Sequence, residues 1–133
     1  MTRIALAYAA TAIVFCALDF LWLGFVAKGY YQSQVGTLLL DKPNLPVAAL
    51  FYALYIIGVL VFAVLPALDA GSWGKALLQG ALFGLFAYAT YDLTNLATLK
   101  GWSAGLAMLD LAWGAIVTGA SATAGFLVAR TLS

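Results

Sequence analysis

Residues 75–99 read KALLQGALFGLFAYATYDLTNLATL. Beyond Lys75 at its edge, the only charged residue in this run is Asp92. About 20 helical residues cross a hydrocarbon core, so the run is long enough to span a bilayer. In lipid its backbone groups must be satisfied within the segment, which makes helix the expected state. Gly80, Gly84, Tyr88 and Asp92 recur every four residues and share one stripe, which Asn95 continues. The glycines admit a close neighbour, and the polar end of the stripe is then expected to face that neighbour rather than lipid.

Three similar runs flank this one, at about 4–27, 45–68 and 103–129. The chain of 133 residues is 65% hydrophobic and 8% charged, too little polar surface to cover a soluble core. The expected fold is an all-α membrane protein: a four-transmembrane-helix bundle in a single domain, 1–133. The first run contains Asp19 and is longer than a signal-peptide core, so it reads as an uncleaved span. Lys28 to Asn44 is the one long connection. Tyr30 and Tyr31 suit the membrane interface, and Val35 with Leu38–Leu40 suggests a short interfacial segment after helix one. Pro43 and Pro46 flank the start of span two, and Pro66 with Leu68-Asp-Ala-Gly-Ser closes it. Lys100-Gly-Trp makes a tight last hairpin.

Four spans put both termini on one face. Arg3, Lys75 and Arg130 lie on that face, and Lys28, Lys42 and Lys100 on the other, so the positive-inside rule gives no orientation. One fixed orientation and a dual-inserted antiparallel homodimer are both compatible with this balance.

Spacing sets depth. Asp19 lies nine residues before Lys28, Asp92 eight before Lys100, and Asp110 ten after Lys100. At about 1.5 Å per residue these acids fall roughly 12–15 Å from one interface, in a common layer. Tyr52 and Tyr55 of span two reach similar depth. On span four, Asp110, Gly114, Thr118, Ser121 and Gly125 form a second small or polar stripe. Trp22 and Trp113 each lie three residues after an Asp, where an indole N–H is expected to pin the carboxylate. The echo between Asp19-x8-Lys-Gly-Tyr and Asp92-x7-Lys-Gly-Trp is compatible with a tandem repeat of helix pairs and equally with coincidence.

A carboxyl group within a span costs roughly 2.5–3.5 kcal/mol on insertion scales. Three unpaired carboxylates in one layer cannot all be charged. They are either protonated and hydrogen-bonded or await a cation. The chain has no His, so His-based triads and His/Cys zinc sites are excluded. Lone Cys16, within an apolar run, reads as a small packing residue. Three acids with Asn95 offer oxygen ligands to a hard cation, although the dense acidic runs of metal-dependent lipid-transfer enzymes are missing. Tyr91-Asp92 matches half of an intramembrane aspartyl protease pattern, but the glycine-aspartate half is absent.

Ala87-Tyr-Ala-Thr-Tyr-Asp-Leu-Thr-Asn-Leu-Ala-Thr-Leu-Lys-Gly-Trp resembles the signature of a family of small bacterial predicted membrane proteins of unknown function. Asp19-x-x-Trp-Leu-Gly, Gly29-Tyr-Tyr, Phe51-Tyr-Ala-Leu-Tyr and Asp110-Leu-Ala-Trp-Gly fit the same pattern, so the resemblance covers nearly the whole chain. It implies four spans in a bacterial inner membrane and carries no activity.

Two functions remain open at this point. One is ligand or cation binding, or proton-coupled transport. In it Asp19, Asp92 and Asp110 exchange protons or hold the ligand, Asn95, Tyr88 and Tyr91 orient it, and Trp22 and Trp113 pin the acids, with Tyr52 and Tyr55 in the same layer. The other is a non-catalytic accessory or scaffold subunit of a membrane lipid-modifying system, in which the acids are structural. A lipid-active enzyme using Asp as general acid or base is the less favoured third. No cofactor and no nucleic-acid partner is expected; the partners are the lipid bilayer and a second copy or another membrane protein.

Overall fold

Four long helices carry the chain. The computed structural model describes residues 2–26, Gly29 and 44–132. Helix α1, Thr2–Leu21, continues into a π-helical turn, Trp22–Val26. Helix α2 is Leu45–Ala70, α3 is Trp73–Thr98 and α4 is Ala104–Leu132. No strand occurs among the described residues. The expected interfacial segment with Tyr30, Tyr31, Val35 and Leu38–Leu40 lies outside them.

Three of the helices are long and apolar enough to cross a membrane: α1 with its extension to Gly24, α2 and α4. Helix α3 has the length, at 26 residues. It falls short in apolarity because Gln79, Asp92, Asn95 and three threonines dilute it. Two of the threonines, Thr90 and Thr98, donate to the carbonyls of Phe86 and Thr94, one turn back. Ser121 and Thr123 of α4 do the same with Val117 and Gly119. Such back-bonding lets hydroxyls sit on a helix without a partner elsewhere.

Local chemistry explains the ends and the irregular turn of α2. Asn44 caps its start by accepting from the Val47 N–H, with Pro46 in the first turn. Farther on, Pro66 has no N–H to donate, and its ring would crowd the carbonyl four residues back. The helix widens ahead of it into a π turn, Leu60–Val64, in which the Leu65 N–H reaches the Leu60 carbonyl. The join to α3 is equally specific. Gly71 ends α2 at φ 65°, and the Ser72 hydroxyl accepts from the Lys75 N–H to start α3. An L side chain is costly in that left-handed conformation. Gly71→Ala is expected to lower stability by roughly 1–2 kcal/mol, as measured by thermal melting in detergent.

Helix α4 is the central element. It packs most extensively against α3, next against α1, and more lightly against the second half of α2. The contacts close a ring in chain order: α1 on α2, α2 on α3, α3 on α4, α4 on α1. The interior mixes small residues such as Ala7, Ala63, Ala67, Ala76, Ala122 and Ala129 with a few large ones, Phe15, Ile56 and Phe126 among them, while Ile13, Phe20, Leu54, Leu78, Phe86 and Ile116 face outward. Exposed apolar surface on every helix is what a lipid solvent selects, and small interior residues let backbones approach.

The two stripes expected on α3 and α4 meet. A Cβ on Gly84 would strike the Gly114 carbonyl and Thr118, and one on Gly80 would strike Ala122 and the backbone of Thr118 and Gly119. Gly114 in turn lies flat against the Tyr88 ring. Gly125, farther along α4, takes Thr11 and Ala7 of α1 instead. The α4 stripe therefore serves two neighbours.

Candidate functional site

Helix α1 turns one row of residues inward: Ala7, Thr11, Phe15 and Asp19, four apart. Asp19 closes the row at 7% exposure. Its Oδ2 accepts a 2.6 Å hydrogen bond from the Tyr52 hydroxyl of α2, and its Oδ1 a 3.3 Å bond from the Trp113 indole N–H of α4. Trp22 stacks flat on Trp113, with ring centroids 4.5 Å apart and planes 6° apart. Asp19 thus ties three helices together with donors on both oxygens.

This arrangement corrects one expectation. Spacing predicts that each Trp serves the Asp three residues before it, whereas Trp113 crosses the α1–α4 interface to serve Asp19, and Trp22 stacks on Trp113. The repeated D-x-x-W pattern therefore builds one joint with both indoles, not two equivalent ones.

Asp92 and Asp110 form a second group. Asp92, on the inner stripe of α3, is 1% exposed. Its carboxyl group and that of Asp110 approach within hydrogen-bonding reach. Asp92 Oδ2 and the buried indole N–H of Trp102 complete no well-formed hydrogen bond, although the indole lies close enough to act on the Asp92 carboxyl as a donor. That indole comes from the hairpin turn, where Gly101 at φ 77° swings the chain back. Trp102 was absent from the residues singled out by sequence. Its only signal was its place in Lys100-Gly-Trp, and the ring also meets Tyr91 edge-on at 5.6 Å.

Tyrosines lie between the two groups. Tyr55 is the hub, with rings of Phe15, Phe51, Phe83 and Tyr88 at centroid distances of 5.3–6.3 Å. Its hydroxyl shares a 2.8 Å hydrogen bond with Thr118. Tyr88 lies within electrostatic range of both Asp19 and Asp110. Tyr91 is turned outward, at 57% exposure, with its hydroxyl near the Asn95 side chain. Asn95 therefore pairs along α3 with Tyr91 and is only half-buried.

Beside Asp110 lies a partly open cavity of about 350 Å³, between α2, α3 and α4. Phe51, Tyr55, Ala87, Tyr88, Tyr91 and Asp110 line it. Asp19 does not: it sits in a closed joint with Tyr52 and Trp113, while Asp110 at the cavity pairs with Asp92. Among the described residues no three acids come close enough together to hold one metal ion. The hard-cation cage suggested by three carboxylates with Asn95 is therefore not formed.

No curated protein and no solved structure matches the chain. A family model described as "Predicted membrane protein (DUF2177)" matches residues 4–127. That match takes in α2 and α3, most of α1 and α4, both acidic groups and the cavity beside Asp110. The chain belongs to this family of predicted membrane proteins.

Proposed function

We propose that this protein crosses the membrane four times and holds a proton-titratable ligand site, formed by Asp92 and Asp110 and used for ligand binding or proton-coupled transport. The observation that carries this reading is Asp92, fully buried, with one carboxyl oxygen that completes no well-formed hydrogen bond, in reach of the acid that lines the cavity. Burying a carboxyl whose hydrogen bonds are incomplete is costly, and intramembrane ionisable groups of this kind mark proton and ligand paths. Helix α3 is included as a span because its 26 residues extend about 39 Å and its glycine stripe, with Asp92 beyond it, turns towards α4.

Carbodiimide chemistry tests the site without knowledge of the ligand. Dicyclohexylcarbodiimide partitions into lipid and adds to protonated carboxyl groups, leaving a stable N-acylurea. Mass spectrometry of the labelled chain is expected to place the adduct on Asp110 or Asp92, with a yield that falls as the buffer is made alkaline. Asp92→Asn is expected to fold and express normally but to shift that pH dependence to lower pH and to lose any ligand flux. Absence of label on both aspartates at every pH would remove the reading.

One observation favours the second reading, an accessory or scaffold subunit. Asp19 has donors on both oxygens and joins three helices, which is a structural use of an acid. In the function proposed here the two uses are divided. Asp19 holds the bundle, and the Asp92–Asp110 pair does the chemistry.

A further inference from the structure

We infer that Trp102 guards an aqueous entrance to the acid pair: protons reach Asp92 from the hairpin, past the indole, while ligand meets Asp110 through the cavity. The inference rests on the ligand-site reading above and adds the route by which that site gains and loses its proton. Trp102 follows Gly101 in the turn between α3 and α4, which four spans place at an aqueous face. Asp92, the most deeply buried acid, lies about 9 Å along α3 from its last residue, Thr98. The Trp102 side chain is only half-buried, yet its indole N–H is enclosed and in reach of the Asp92 carboxyl group. The ring also meets Tyr91 edge-on, at 5.6 Å and 85°, and Tyr91 is a wall of the cavity. One side chain thus connects the turn, the buried acid and the cavity wall.

The indole has two tasks there. Its ring lies between the turn and the acid, so water reaches Asp92 only when Trp102 swings aside. Gly101, at φ 77° and with open space around it, lets the turn give. Its N–H faces the carboxylate that remains once the proton has left, and a donor binds the charged form more strongly than the neutral one. The N–H and Asp92 Oδ2 are buried without a well-formed bond in the present arrangement, which is costly for both, so a small movement of the turn that completes the bond is favourable. The described groups that act on Asp92 are Asp110 from α4, Tyr91 from α3 and the Trp102 indole. Asp110 is the other carboxyl group among them, and the proton passes between these two, leaving one neutral and one charged.

Infrared spectroscopy of the full chain in lipid nanodiscs reads both tasks. The C=O stretch of a protonated carboxyl group shifts when its hydrogen is replaced by deuterium, and the Asp92 band is identified by its loss in Asp92→Asn. After transfer to heavy water, Trp102→Ala is expected to exchange that band roughly tenfold faster than the unmodified chain, because no side chain need open first. Phe51→Ala widens the mouth of the cavity instead and is expected to leave the exchange rate close to that of the unmodified chain. Trp102→Phe keeps a ring and removes the N–H, so exchange is expected to stay slow while the pH at which the band disappears moves upward. That second variant decides the matter on the pH profile even where Trp102→Ala does not fold. Complete exchange on mixing in the unmodified chain, an unchanged rate in Trp102→Ala, a faster rate in Phe51→Ala than in Trp102→Ala, or a pH profile indifferent to Trp102→Phe would overturn the entrance. Carbodiimide labelling of the same preparations separates the two levels. Label on Asp92 or Asp110 with exchange indifferent to Trp102 rejects the entrance and leaves the acidic site standing, whereas absence of both label and protonated band rejects the two together.

Discussion

Gly84→Ala is expected to be the most damaging single-methyl change in the molecule. The added Cβ would run into the Gly114 carbonyl oxygen and the Thr118 side chain, and the first of these is backbone that cannot rotate away. Overpacking typically costs 1–3 kcal/mol, and a rigid wall places this site at about 3 kcal/mol. Thermal melting or denaturing-detergent titration of the purified chain measures it. Gly74→Ala is the control, since a Cβ there meets nothing closer than Ser72 Oγ at 3.7 Å. Equal loss in the two variants would mean that α3 and α4 do not pack through these glycines. Gly84→Leu carries the argument to its limit and is expected to separate the pair.

The second large effect concerns Asp19. Tyr52→Phe removes one of its donors and keeps the ring, while Trp113→Phe removes the other and shrinks the indole that stacks on Trp22 to a phenyl. A buried acceptor deprived of its donor costs about 1–3 kcal/mol, more when it is charged. Each variant is expected to be destabilised on that scale. The double variant is expected to lose less than the sum, because once one donor is gone the carboxyl relaxes towards the other or takes up a proton. A double-mutant cycle on unfolding free energies reads the coupling directly. Strict additivity would show that the two donors act on Asp19 independently and that the joint is not a unit.

The four helices were legible because the signals that mark them are local. Hydropathy marks their cores, and Asn44, Pro46, Gly71 and Ser72 mark their ends through capping and turn chemistry that acts within a few residues. The glycine stripes were legible for the same reason: a four-residue repeat places side chains on one face whatever the neighbour is. Identity of the neighbour was not legible. The spacing of Asp110 and Trp113 shows that they share a face, but not that the indole reaches farther across to α1 than along α4. The partition of three acids into a joint and a pair likewise depends on how the helices rotate against each other, which no single helix encodes. Trp102 went unnoticed because its role depends on the hairpin folding it back towards Asp92. The π turn ahead of Pro66 follows from proline chemistry once a helix is known to continue through that residue.

The shortness of the joins on either side of α3 has a consequence for biosynthesis. Its N-terminal link to α2 is Gly71 and Ser72, and its C-terminal link to α4 is 99–103. On the four-span reading, the least greasy of the helices has no slack on either flank. It is poorly equipped to leave the translocation machinery for lipid alone. Its entry would then wait until α4 has been made, and the two would pass into the bilayer as a hairpin, the glycine face already covered. A ribosome stalled before Ala104 would hold α3 outside the hydrocarbon, so that the order of synthesis, as well as the finished packing, decides whether the cavity forms.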